Sequence, residues 1–299
     1  MKKALQKFGH RMLAVACVIQ LLLLPAFNAT AATPKTLLWE ISGNGLTTPS
    51  YVFGTIHALC PDDFKMPDAV IKRLMQTEQL SLEVDMDAPN FMAELMQSAT
   101  LPAGKTLSAM LSPADYKILS NHLATTLQLD MKLFDNMKPF MLQSLLLSQI
   151  TDCKAVSYEQ RLVEAAHAQG KEVIGVESIK EQLAAMDNLP QQLQTSMLIK
   201  TVKDMPAARA SYLKLVKLYL AQDLDAIAEI TKEDLSEKEY QLYEQAFLVA
   251  RNQRWIPVME REARARPTFF AVGAGHLPGK QGILELLRMQ GYTVKPVID

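Results

Sequence analysis

The chain has 299 residues, 49% of them hydrophobic, and a formal net charge of −1. That is enough apolar material for one large core or two modest ones, and it excludes a disordered chain. With 31 basic against 32 acidic residues and no long basic block, nucleic acid is not the expected partner, because phosphate binding rests on clustered Lys and Arg.

Lys2, Lys3, Lys7 and Arg11 precede an apolar run over residues 12–24, Pro25 breaks it, and Ala29-Thr30-Ala31 offers small residues for cleavage. This is the three-part pattern of a secretory signal peptide. The expectation is a cleaved segment at residues 1–31, transient contact with export machinery, a periplasmic product and one α/β domain over residues 32–299. The alternative is a membrane anchor retained through residues 12–24. Cys17 has a short apolar lead and an apolar run after it, which argues against lipidation. Cys60 and Cys153 then form an even pair in an oxidising compartment, and one disulfide is favoured over two buried thiols.

Leu37-Leu38-Trp39-Glu40-Ile41 reads as a strand, Gly43-Asn44-Gly45 as a turn, and Tyr51 to Thr55 as the returning strand of a hairpin. A helix is expected from Pro67 to about Gln79. Leu80-Ser81-Leu82-Glu83-Val84-Asp85 alternates like a strand but carries Glu83 in its apolar half, so that carboxylate lies either at a solvated edge or in a site. Residues 90–170 are helical in composition, with starts at Ser112-Pro113 and Pro139 and a capping-box spacing at Ser157-Tyr158-Glu159-Gln160. His122 and His167 lie in these helices without ligand-like neighbours and read as structural. A strand over residues 171–177 ends in Glu177, and Ser178 to Glu181 has the spacing of another box.

Residues 190–205 and 207–229 read as helices whose Met residues suit adaptable packing or a substrate-facing wall. Ser236 starts a long amphipathic helix, with Arg251, Asn252 and Trp255 near its end or at a break before Pro257. A strand after Pro267 ends at His276, and a helix over residues 283–289 and a strand over 291–297 close the chain. The β–α alternation at both ends, with a helical middle, gives a mixed central sheet with a substantial helical insertion and cover.

Two stretches organise the functional reading. Val52-Phe53-Gly54-Thr55-Ile56-His57 and Ala271-Val272-Gly273-Ala274-Gly275-His276 each end an apolar run in Gly-x-x-His. Each glycine permits a turn or close approach, and the histidine falls beyond the strand's carboxyl end, where open α/β sheets place their chemistry. If the two strands are neighbours, the two imidazoles meet.

These motifs, with Leu82-Glu83-Val84-Asp85, Gly175-Val176-Glu177 and Arg251-Asn252 followed by Trp255, resemble the TraB/GumN/PrgY family, which includes the Tiki metalloproteases. The resemblance implies a divalent-metal-dependent hydrolase, with His57 and His276 as the strongest metal ligands and Glu83 as the acid beside them. Glu177 matches a recurrent acid, and Arg251 and Asn252 match a polar helix signature. A broader similarity to erythromycin-esterase-like folds relates two histidines and an acid to hydrolysis without requiring the metal.

The residue chemistry agrees. Imidazoles hold borderline ions such as Mn, Co or Zn and leave positions open for water, and a carboxylate binds the metal or takes the proton of water. Glu83, His57 and His276 are accordingly the expected catalytic group, with Glu177, Arg251, Asn252 and Trp255 orienting the substrate or the group itself. The expected substrate is a peptide or other small exported molecule. There is no His-Glu-x-x-His helix and no Gly-x-Ser-x-Gly elbow. Metal-free His/Glu acid–base hydrolysis and a periplasmic binding or assembly protein without turnover are the other two readings.

Overall fold

The structure is a computed structural model that describes residues 34–298 apart from Thr231 and Asp234. The expected signal segment, its anchor alternative and Cys17 lie outside the described residues. Among the described residues no helix is long and apolar enough to cross a membrane.

The strands are β1 (Leu38–Ser42), β2 (Ser50–Thr55), β3 (Gln79–Val84), β4 (Glu172–Glu177), β5 (Thr268–Gly273) and β6 (Thr293–Pro296). They form one sheet in the order β4-β3-β5-β2-β1-β6. β4, β3, β5 and β2 are parallel, while β1 runs antiparallel to both β2 and β6. The architecture is thus mixed α/β with a helical cover, as expected. Gly43, Asn44 and Gly45 all take positive φ in the β1–β2 turn, a conformation that Gly adopts freely and Asn tolerates. β2 and β3 are buried along their whole length, which explains why they read as apolar runs rather than as clean alternation.

β5 follows β4 in the chain but lies between β2 and β3. Its register sets Gly54 against Val272 and Thr55 against Gly273, so the two Gly-x-x-His ends are side by side. Beyond Gly273 a 3-10 turn, Ala274–His276, folds back over β2. It comes so close that a Cβ on Gly54 would sit 2.9 Å from Leu277 Cδ1 and 3.1 Å from Ala274 Cα. Phe53, Phe269, Phe270 and Trp255 are buried in the sheet's main core. A separate cluster around Leu119, Leu142 and Leu198 holds the helical middle, and a third, with Val84, Met186 and Phe247, lies beside the tip of β3.

Several boundaries differ from those expected. The helix after Pro67 is Asp68–Met75, because the chain must turn by Gln76 to enter β3 at Gln79. The expected helix over residues 207–229 is split into Met205–Leu220 and Leu224–Ile230; Gln222 takes φ +55° and the Asp223 carboxylate accepts from Ala226 N at 3.1 Å. Pro257 does not end its helix. Glu237–Glu244 passes through a wider π turn, Gln245–Val249, into Ala250–Ala265, which carries Pro257 inside it. There the missing N–H removes one helical bond while the packing on both sides is kept. β5 stops at Gly273, so His276 belongs to the following turn and not to the strand. Cys60 and Cys153 are bonded, with their Cα atoms 5.7 Å apart.

Candidate active site

Three of the four parallel strands, β2, β3 and β5, deliver their carboxyl ends to one cavity of about 470 Å³, lined by His57, Glu83, Arg251, Gly273 and His276 among others. Gly273 stands among three of its ionisable side chains. A Cβ there would lie 3.1 Å from Glu83 Oε1, 3.6 Å from His57 Nε2 and 3.7 Å from His276 Cδ2. Glu83 Oε1 accepts the Gly273 N–H at 2.8 Å, just past the last β3–β5 pair, Leu82 with Ala271. The carboxylate therefore satisfies a strand-end N–H that the ladder leaves over.

His57 turns its ring into the cavity, with 70% of the side chain accessible, and its Nδ1 lies 2.8 Å from Glu159 Oε1. Glu159 stands in the first turn of the helix Tyr158–His167. It also accepts from Thr55 Oγ1 at 2.5 Å and from Ser157 Oγ at 2.7 Å. Burial opposes its charge, but His57 and the two hydroxyls outweigh that and hold the carboxyl down at about 2. In return the Glu159 carboxylate raises His57 to about 9. With Nδ1–H donated to Glu159, Nε2 faces the cavity. The loop after His57 is tied twice to the segment that leads into this helix, by Cys60–Cys153 and by paired backbone bonds between Leu59 and Val156 at 2.8 and 2.9 Å.

His276 is enclosed instead, with 6% of the side chain accessible. Asn252 Nδ2 donates to the carbonyls of His276 and Gln281, which leaves its Oδ1 to accept from His276 Nδ1–H at 2.6 Å. Trp255 packs on the ring at a centroid distance of 4.4 Å. Arg251 Nη1 lies 3.2 Å from His276 Nε2, so the guanidinium donates to the ring's lone pair. Burial, with Arg251 adding to it, pushes the His276 pKa down to about 3, against the pull of Glu83. The ring is neutral.

Arg251 ties the tips of β3 and β4 together. Its Nη2 reaches Glu83 Oε2 and Glu177 Oε1, both at 2.6 Å, and its Nε reaches Glu177 Oε1 at 2.9 Å. Gln182 donates to Glu83 Oε2 at 3.0 Å. Burial disfavours the Glu83 charge, yet His276, Arg251, His57 and the Gly273 N–H together hold its pKa at about 2. Burial raises Glu177 despite Arg251, and Arg254 stands 3.6 Å from its other oxygen.

The structure thus brings His57, His276 and Glu83 together, with Glu177 and Arg251 bracing them. Asn252 and Trp255 hold His276 from behind and do not line the cavity. His122 and His167 stand apart, His167 pairing with Asp87 at 2.8 Å. Sequence reasoning missed Glu159 as a partner of His57. The signal was present: Glu159 shares the buried stripe of its helix with Leu162 and Ala166, and an acid on an apolar stripe needs a partner. Ser157 accepts from Gln160 N, but the Gln160 side chain does not reach back to the Ser157 N–H, so the expected capping box is only half made.

The donor chemistry suits a divalent cation in kind. Each imidazole is fixed at Nδ1 by an oxygen, the arrangement that orients metal-bound histidines, and each directs Nε2 toward the Glu83 carboxylate. Among the described residues, however, no three His, Cys, Asp or Glu side chains are gathered at ligating spacing, and Arg251 now uses the His276 lone pair.

The profile of the TraB/PrgY/gumN family matches residues 37–296. Curated relatives include Metalloprotease TIKI2 of Danio rerio, 24% identical over 87% of this chain and 61% of the relative. Metalloprotease TIKI1 is 23% identical in Danio rerio, over 90% of this chain and 64% of that protein, and 24% identical in Homo sapiens, over 87% and 62%. The chain spans less than two thirds of the length of these relatives. No solved structure gives a significant match.

Proposed function

We propose, from the premise that the chain belongs to the TraB/PrgY/gumN family, that it is an exported hydrolase of peptide or amide bonds that works with a divalent cation. The observation that carries this reading is the convergence of two Nδ1-anchored imidazoles and the Glu83 carboxylate on Gly273. The names of the TIKI relatives support it from outside the structure. His57 Nε2, His276 Nε2 and Glu83 Oε1 are the atoms that would hold the ion. When bound, it supplies Lewis acidity, acidifying water and polarising a carbonyl. Glu159 fixes the tautomer of His57, and Asn252 that of His276. Arg251 keeps Glu83 ionised and placed. Gly273 leaves the space between the rings open to the substrate. Export to the periplasm rests on the pattern of residues 1–31, and the Cys60–Cys153 bond suits an oxidising compartment.

One observation favours a metal-free variant of the same chemistry. Arg251 Nη1 at 3.2 Å from His276 Nε2 already places a cation where a metal would go, leaving His57 with Glu159 as an acid–base pair. One experiment separates the two. Protein stripped by chelation is reloaded with Mn, Co or Zn, its metal content is measured, and it is incubated with a peptide library read by mass spectrometry. Stoichiometric uptake and product formation, both lost in folded His57→Ala and His276→Ala proteins, are expected. Uptake unchanged in the double variant removes the metal centre. Products that survive chelation but need His57 transfer the reading to the metal-free pair.

A further inference from the structure

Tyr243, Phe247 and Arg251 recur at four-residue spacing along the helical rod that runs from Glu237 through the π turn to Ala265, and all three line the strand-tip cavity. Arg251 Nη1 donates to the Phe247 carbonyl at 3.2 Å. The Tyr243 ring stacks on Phe247, with centroids 4.7 Å apart and planes 17° apart, and Phe140 packs on Phe247 at 5.7 Å. The phenol is held by its ring and not by its hydroxyl. That hydroxyl makes no hydrogen bond to any described residue, and it is not sealed inside the protein as the unpaired Gln143 Oε1 is.

The other side-chain donors of this cavity are engaged within the protein. Thr55 Oγ1 donates to Glu159, Tyr219 OH to the Gly54 carbonyl at 3.0 Å, Gln194 Nε2 to the Met186 and Leu189 carbonyls, and Gln143 Nε2 to Thr201 at 2.8 Å. Arg251 is turned to its two carboxylates, the Phe247 carbonyl and His276. Apart from His57 Nε2, which belongs to the reacting group, the Tyr243 hydroxyl is the side-chain donor on this lining that engages nothing among the described residues. Burial keeps its pKa above the ordinary value against the pull of Arg251, so the phenol holds its proton and offers it. An unpaired hydroxyl beside Phe140, Met197 and Phe247 is costly, and an acceptor on a bound ligand removes that cost.

Position decides which acceptor this is. A helix rises about 1.5 Å per residue, so Tyr243 stands roughly 10–12 Å along the axis from Arg251, whereas an extended peptide advances about 3.4 Å per residue. With the reacting amide beside His57 and Glu83, the hydroxyl falls beside a neighbouring peptide unit and not the reacting one. We propose that Tyr243 is a specificity residue whose hydroxyl donates to a carbonyl of the substrate one or two peptide units from the bond that is cleaved. The site then takes peptides in preference to isolated amides, which have no carbonyl to offer there. This deepens the hydrolase reading and rests on it for the substrate's being an amide.

The test uses the full folded chain and Tyr243→Phe, which keeps the ring and its stack on Phe247 and removes the donor alone. The probe is an alanine hexapeptide whose central amide is replaced by a phosphinate, which is not hydrolysed. In four further versions each remaining amide in turn becomes an alkene. Calorimetry on wild type should show the parent bound about tenfold more tightly than one alkene version, the loss expected of one buried hydrogen bond. In Tyr243→Phe that gap should close because the parent weakens, with the other versions keeping their order. On a peptide cleaved from the library the variant should raise KM about tenfold and change kcat less than twofold, the pattern of binding lost equally from ground and transition states. No binding of the parent, no gap in wild type, or a gap unchanged in Tyr243→Phe overturns the inference and leaves library cleavage to judge the hydrolase. A fall in kcat with KM unchanged also overturns it, by putting the hydroxyl on the reacting carbonyl. A gap that closes as expected, with no peptide cleaved under any metal condition, leaves the subsite standing and sinks the hydrolase.

Discussion

The two Gly-x-x-His ends share a motif and adjacent strands, yet their histidines occupy opposite settings. His57 opens into the cavity with a carboxylate behind it, while His276 is enclosed by Asn252, Arg251 and Trp255. One ring is biased toward carrying a proton and the other against it, from surroundings alone. Neighbouring groups driven apart in this way divide acid and base roles between them. A repeated motif therefore fixes where two rings meet but leaves what each can do to the residues behind it.

The largest test of this contrast is Arg251→Ala, which strips the enclosed side of its cation and takes from the buried Glu83 and Glu177 the guanidinium they share. Urea unfolding should show a loss of roughly 3–5 kcal/mol. The open side relies on a covalent tie instead. Reducing Cys60–Cys153, which spans 93 residues, should cost about 2–4 kcal/mol, with loss of turnover as the His57 loop loosens. Next is the pair of histidines themselves. His276→Ala should destabilise by about 1–3 kcal/mol because Asn252 Oδ1 and Arg251 Nη1 lose a partner inside the protein, whereas His57→Ala should lose activity with a smaller change in stability.

Proton linkage gives the two sides opposite slopes in the metal-free protein. The folded pKa of His57 lies above its ordinary 6.5, so its stabilising contribution is complete below that value and is lost as pH rises through about 9. That of His276 lies below 6.5, so its contribution is complete above that value and is lost as pH falls toward about 3. Stability profiles of His57→Ala and His276→Ala should therefore diverge from wild type at opposite ends of the pH range. Divergence at the same end would break the contrast. The smallest effect expected is that of Ser157→Ala, about 1 kcal/mol, from the lost cap and one hydrogen bond to Glu159.

The parts legible in the sequence were those with local signatures. The hairpin turn, the completed capping box at Ser178, the helix start at Ser236 and the buried strands ending in Gly-x-x-His each carry their cause within a few residues. Glu83 was legible as an acid in an apolar strand, though not whether it faced an edge or a site; the neighbours of β3 decided that. Glu159 is easily passed over because an acid in a first helical turn has a ready local explanation, although its place on the buried stripe calls for a partner. The break at Gln222 lacks Gly or Pro, and Pro257 sits in a helix that its packing keeps whole. Both depend on contacts with residues far away in the chain.

The position of β5 also sets what a shortened chain would lack. His57 and Glu83 stand early in the sequence, but the strand that lies between β2 and β3 comes from Thr268–Gly273, so a chain ending before residue 268 would have neither the middle of its sheet nor His276.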